Sequence, residues 1–239
     1  MRLGLVFVLA LAMALAGCTE SNQSRSAKIA KEAKKGQAAA LKRLTIKRRS
    51  RDVRVTRSAV LSGDGGTTVV ALELRNSGPV QANAPLLFSL YGKGKKRLYR
   101  NDEPGLQEAL QRIGSIEAGK TIWWVNDQVT GVTGGKRVRV TVGPSEGGKP
   151  PAVQLDKGAL ESDPSGEFLL GSLLNKSNKT LTSVPVYAVG LRAGKVVAAG
   201  RAIVQKLNAG ARADFRVLLT GNPAGAHFSV YTTPKPVSS

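Results

Sequence analysis

The sequence predicts an all-β protein built as two tandem β-sandwiches behind a flexible basic stalk. Three observations lead there. Apolar and polar residues alternate at period two from residue 52 onward, Gly-rich turns separate the alternating runs, and one plan recurs after about one hundred residues.

Composition bounds the chemistry before any motif is read. The chain has 239 residues, 41% of them hydrophobic, which is ample for folded cores. A single Cys excludes an internal disulfide framework, and one Cys with one His leaves no Cys/His zinc cluster, so neither metal nor cofactor is expected. A Ser-His-Asp machine would have to rest on His227 alone. The 36 Lys+Arg against 16 Asp+Glu give a formal charge of +20, which favours anionic surroundings such as lipid headgroups, envelope polymers or nucleic acid.

The N-terminus reads as a targeting segment over residues 1–17. Arg2 precedes an apolar run from Leu3 to Leu15, too short for a normal membrane span, and Leu15-Ala16-Gly17-Cys18 follows at once. The small residues before the cysteine resemble the lipobox of bacterial lipoproteins. That resemblance implies cleavage before Cys18, a thioether diacylglycerol on its sulfur and a mature protein held on the extracytoplasmic face of a cell membrane by its lipid anchor. An ordinary signal peptide with a chance cysteine is the alternative. Export makes nucleic acid an unexpected partner.

Residues 18–51 form the predicted stalk. Between 19 and 51 there are eleven Lys/Arg against Glu20 and Glu32, with few large apolar side chains and Gly36 in the middle. No apolar stripe is wide enough for a buried helix. The segment reads as a solvated spacer that can also be drawn to anionic lipid, at about 1 kcal/mol per basic residue near the surface.

Strands follow. Val53 and Val55, then Val70, Leu72 and Leu74, then Val138, Val140 and Val142 each alternate with polar or small neighbours, as expected where one strand face meets a core and the other water. Ser62 to Gly66, Gly92-Lys93-Gly94 and Thr133-Gly134-Gly135 supply the turns. In the repeat, Leu61 answers to Leu160, Gly66 to Gly166, Leu74 to Leu174, Pro85 to Pro185 and Gly94-Lys95 to Gly194-Lys195. The offset then drops, with Ala118-Gly119 answering to Ala209-Gly210 and Arg137 to His227. Each copy, 52–142 and 152–233, has room for six or seven short strands, which fits an immunoglobulin-like sandwich. The Pro/Gly-rich stretch 143–151 reads as a linker and 234–239 as a tail. The extra residues of copy one predict a short helix over 104–113, with Leu106, Leu110 and Ile113 on its buried stripe, Asn101 to Pro104 at its start and Gly114 at its stop.

Phe88-Ser89-Leu90-Tyr91 resembles the FxLYD motif, which names a family of small immunoglobulin-like domains of bacterial and archaeal envelope proteins. Asn76, Phe88, Leu90, Tyr91, Gly94, Lys95 and Ala118-Gly119 fit the family's order, with Gly92 in place of the motif Asp. In copy two, Asn175, Leu191, Gly194-Lys195 and Ala209-Gly210 fit, but Val189-Gly190-Leu191-Arg192 lacks the aromatics. The resemblance implies a non-catalytic module.

The residues themselves agree with that implication. Carboxylates are sparse: Glu161 and Asp163 read as turn residues, Asp102 and Glu103 as a helix start, and His227 as a solvated residue opening an edge strand. No nucleophile elbow or phosphate loop is present. Three readings remain: a scaffold that meets another envelope protein, a receptor for an anionic polymer or lipid, and a hydrolase with an unrecognised site. The candidate anion contacts are Lys93, Lys95, Lys96, Arg97, Lys136, Arg137 and Arg139, against the plainer reading of a solvated basic face typical of a high-pI protein. The last candidate is Trp123. Aligning Gly119 with Gly210 sets Trp124 on Phe215, in the core, and Trp123 on Asp214, facing outward. The inserted helix either covers Trp123 or leaves it as an exposed aromatic platform.

Overall fold

The computed structural model describes residues 43–63 and 66–236. The predicted signal segment, Cys18 and most of the predicted stalk lie outside the described residues. The described chain is all-β, with fourteen strands in antiparallel sheets.

The first copy pairs β1 (Val53–Ser62), β2 (Thr68–Asn76) and β6 (Thr121–Val129) in one sheet. Its second sheet is centred on β3 (Gln81–Tyr91). On one edge β3 meets β4 (Arg97–Arg100) and then β5 (Arg112–Ile116), and on the other β7 (Arg137–Val142). The second copy repeats this plan. β8 (Val153–Asp163), β9 (Gly166–Asn175) and β12 (Arg212–Leu218) form one sheet. β10 (Leu181–Arg192), β11 (Lys195–Leu207), β14 (His227–Thr232) and the short β13 (Thr220–Gly221) form the other.

The long β11 is one continuous strand where copy one has two, so residues 101–111 interrupt a strand and add no helix. Glu108–Leu110 makes a single 3₁₀ turn, and Ile113 already belongs to β5. The predicted helix over 104–113 is therefore corrected. Pro104-Gly105, with Gly105 at a φ of 82°, breaks the chain where a helix would have to start. Gly114 is likewise no helix stop: a Cβ there would lie 1.8 Å from the Thr233 carbonyl oxygen, so only glycine lets the C-terminal segment pass. Leu110 and Ile113 are buried all the same, while Leu106 is half-buried.

Equivalent residues do equivalent work in the two copies. Asn76 and Asn175 are both fully buried at the end of the second strand. Asn76 Nδ2 donates to the carbonyls of Pro79, Ile116 and Glu117, and Asn175 Nδ2 to those of Lys179, Leu207 and Asn208. Each Oδ1 accepts the amide N–H two residues on, closing an Asx turn. This match sets Leu74 against Leu173, one residue from the Leu174 that the sequence alignment chose, since Val55 pairs with Leu74 and Leu155 with Leu173. Trp124 faces Leu72 and Phe215 faces Gly171, so the alignment of Trp124 with Phe215 holds.

The four sheets stack as layers. One core cluster fills copy one and takes in Tyr187, Val189 and Ala199 of copy two; a second fills copy two alone. The β1-β2-β6 sheet thus meets β3 through Leu72, Leu74 and Trp124 on one side, and the β10-β11 sheet through Ala71, Trp123 and Val125 on the other. Strands β2, β6 and β10 are buried on both faces. Their sequences show why: Val69-Val70-Ala71-Leu72, Ile122-Trp123-Trp124-Val125 and Val184-Pro185-Val186-Tyr187-Ala188-Val189 are continuous apolar runs, the pattern of a strand covered twice.

Two connecting segments are anchored rather than free. Residues 43–51, predicted as the end of the flexible stalk, lie against copy one: Leu44 N donates to the Asp102 carbonyl at 3.1 Å, Ser50 N to the Val142 carbonyl at 2.7 Å, and Ile46 packs at Gly143. In the predicted linker, Gly143 N donates to the Pro85 carbonyl and Glu146 N to that of Ala82.

Candidate anion-binding face

The outer face of the β4-β3-β7 sheet gathers the predicted cations. β3 sends Phe88 and Leu90 inward, both fully buried, with the Phe88 ring 6.0 Å from Trp124 edge-on and 5.5 Å from Tyr99. Alternation then turns Ser89 and Tyr91 outward. Tyr91 pairs with Arg97 on one side and Arg137 on the other, and Ser89 with Arg100 and Arg139. Four guanidinium side chains therefore frame two β3 residues, about 10 Å apart across the three strands and about 7 Å apart along them. The Tyr91 ring lies 5.5 Å from the Arg137 guanidinium and 5.3 Å from that of Arg139, which orders both by cation–π attraction. The 3₁₀ turn Lys93–Lys95, with Lys96, crowns one end, and Lys136 N bonds the Tyr91 carbonyl beside it.

All seven predicted cations are exposed, and none makes an ion pair with a carboxylate among the described residues. Arg100 was missed in the sequence. It shares Asp102 with Arg43, at 3.3 and 3.4 Å. A cleft of about 560 Å³ opens beside the frame, lined by Arg43, Arg97, Arg100, Asp102, Glu103 and Gln128 among others. Like charges 7 Å apart in water repel by about 0.6 kcal/mol per pair, so the frame is a cost to the fold unless an anion offsets it.

Trp123 is not a platform. It is 1% exposed, and the prediction of an exposed aromatic is corrected. The inserted segment does not cover it either; copy two does. The Arg57 guanidinium sits 5.1 Å from its ring and bonds the Glu73 carboxylate, which Thr56 also bonds, and Arg57 reaches the Gly194 carbonyl of copy two at 3.3 Å. These bonds hold the Glu73 carboxyl below its ordinary range and raise Arg57 in return. Nearby, Tyr187 is fully enclosed, and burial pushes its hydroxyl well above the normal value.

Possible catalytic groups are dispersed. His227 is exposed at the start of the edge strand β14. Glu161 and Asp163 belong to the end of β8, not to a turn, and both bind Arg216. Bonds from Ser165 and Arg216 lower Asp163 to about 2. Among the described residues no group of three or more His, Cys, Asp or Glu could hold a metal ion.

Sequence reasoning also missed a cleft of about 430 Å³ where the copies meet. Asn83 and Ser183, one at the same place in each copy, both line it, with φ of 50° and 51°. Each interrupts its ladder without changing the register, between Ala82 and Ala84 and between Thr182 and Val184, so the positive φ is a local kink in a strand that resumes in step. The charges in this cleft already serve one another: Arg112 pairs with Glu146 and Glu108, and Lys235 with Glu108.

No helix among the described residues is long and apolar enough to cross a membrane. No family model matches the sequence, and a search of curated proteins finds no match.

Proposed function

We propose that this chain is a lipid-anchored, extracytoplasmic protein of a bacterial envelope whose β body is a non-catalytic interaction module, and that the basic β4-β3-β7 face is its binding surface for an anionic partner. The observation that carries the reading is the frame of Arg97, Arg100, Arg137 and Arg139 around Ser89 and Tyr91. Among the described residues, three of these arginines and all the surrounding lysines lack a carboxylate partner. The anchor rests on the lipobox-like Leu15-Ala16-Gly17-Cys18 and on Cys18 being the only cysteine. The likeness to FxLYD domains supports the module.

Two measurements test this. Cys18→Ser should abolish fatty-acid labelling and release the protein from membranes washed at high salt, which screens any charge contact; a variant that stays membrane-bound through that wash after correct signal cleavage removes the anchor. Inorganic polyphosphate should bind the unacylated Cys18→Ser chain, steeply weakened by salt, and Arg97→Gln/Arg137→Gln/Arg139→Gln should weaken it by at least tenfold. Unchanged binding removes the face from the reading.

A further inference from the structure

The layers sort charge. Strands β3, β4 and β7 of copy one carry Arg97, Arg100, Arg137 and Arg139 and no carboxylate. The opposite outer sheet, β8-β9-β12, carries Asp156, Glu161, Asp163, Glu167 and Asp214 against Lys157, Arg212 and Arg216. Two buried sheets separate the faces, so the body is basic on one side of the stack and slightly acidic on the other.

The chain from the N-terminus enters on the basic side. Arg43 binds Asp102, Leu44 follows along the same residue, Ile46 reaches Gly143 beside Pro85, and Ser50 bonds Val142 at the end of β7. Lys47, Arg48 and Arg49 are exposed along this course and extend the basic face. Arg43 lies 25 residues after Cys18 in the sequence. An anchor at Cys18 would tether the body by the side on which Arg43, Lys47, Arg48 and Arg49 lie.

From this geometry we infer that the anionic partner is the lipid surface that holds the anchor: the body lies with the β4-β3-β7 sheet against anionic headgroups and turns β8-β9-β12 away. This rests on the proposed function and assigns its ligand. Each cation near such a surface multiplies partitioning about fivefold. The docked segment and the sheet act together, so the contact fixes an orientation that a flexible basic tail alone would not.

The test uses the unacylated Cys18→Ser chain and vesicles of phosphatidylcholine with about one third phosphatidylglycerol. Arg97→Gln/Arg137→Gln/Arg139→Gln should lower partitioning on the order of 100-fold, whereas the matched triple Lys157→Gln/Lys176→Gln/Lys206→Gln should leave it within about threefold. In a second arm, a polarity-sensitive dye on Ser89→Cys should respond to vesicles and the same dye on Ser162→Cys should not, a readout free of any charge removal. Equal losses in the two triples, or a response at Ser162 in place of Ser89, overturn the inference. If the first triple loses polyphosphate binding but keeps vesicle binding, the face serves a soluble polymer: the inference fails and the proposed function stands. If neither ligand depends on the face, both fail.

Discussion

Arg201 Nε donates to Asp127 Oδ1 at 2.9 Å, joining a strand of copy two to a strand of copy one. The arginine side chain is 3% exposed and also bonds Gln107, so the charge is held almost wholly by residues of the other copy. A charge buried in this way ties the copies together by the penalty of leaving it alone.

Asp127→Leu should therefore destabilise the protein by about 3 kcal/mol, because it strands a buried guanidinium. The double variant Asp127→Leu/Arg201→Met should recover much of that loss. Chemical denaturation of the four proteins reads the cycle; a double variant as unstable as the single one would show that the pair does more than satisfy itself.

The two buried asparagines should cost alike. Asn76→Ala and Asn175→Ala each remove three donated bonds and leave carbonyls unpaired, for a loss of about 2–3 kcal/mol each. A loss in one copy alone, measured by thermal melts, would mean that the duplicated plug has lost its role in the other.

Both tryptophans should resist quenching. In Trp123→Phe and Trp124→Phe the remaining indole is 0–1% exposed, and acrylamide should reach neither. Ready quenching of Trp123 would mean that the sheets of the two copies part in solution.

Acid should loosen the same joint. The folded-state pKa of Glu73 lies below the ordinary 4.5, chiefly through the bond from Arg57, so its contribution is complete above pH 4.5 and is lost as pH falls through the lower folded value. Glu73→Gln should be less stable at pH 7 and should lose less stability than the wild type on acidification below pH 4.5. Parallel stability–pH curves would sink this assignment.

Much of the fold was legible. Alternation, turns and the hundred-residue recurrence mark the strands, and the register of Trp124 against Phe215 follows from two matching glycines. Trp123 was misread because its cover comes from a distant sheet, although the unbroken run Ile122 to Val125 records two-sided burial. The spacing of Leu106, Leu110 and Ile113 imitated a helix by coincidence, since the residues occupy a loop, a 3₁₀ turn and a strand. The cations were visible as charge runs, but only strand pairing shows that Arg97 and Arg137 flank one tyrosine. Leu44 and Ile46, alternating with Thr45 and Lys47, were the overlooked sign that 43–51 is docked.

Head-to-tail contact between copies has an arithmetic of its own. The face of β1-β2-β6 that receives copy two has a counterpart in β8-β9-β12, free to receive a third. There Trp123 is replaced by Asp214 and Val125 by Arg216, both exposed. A third unit would have to strip water from those charges to add its layer. Composition therefore makes a further layer on this face costly, on a geometry that would accept one.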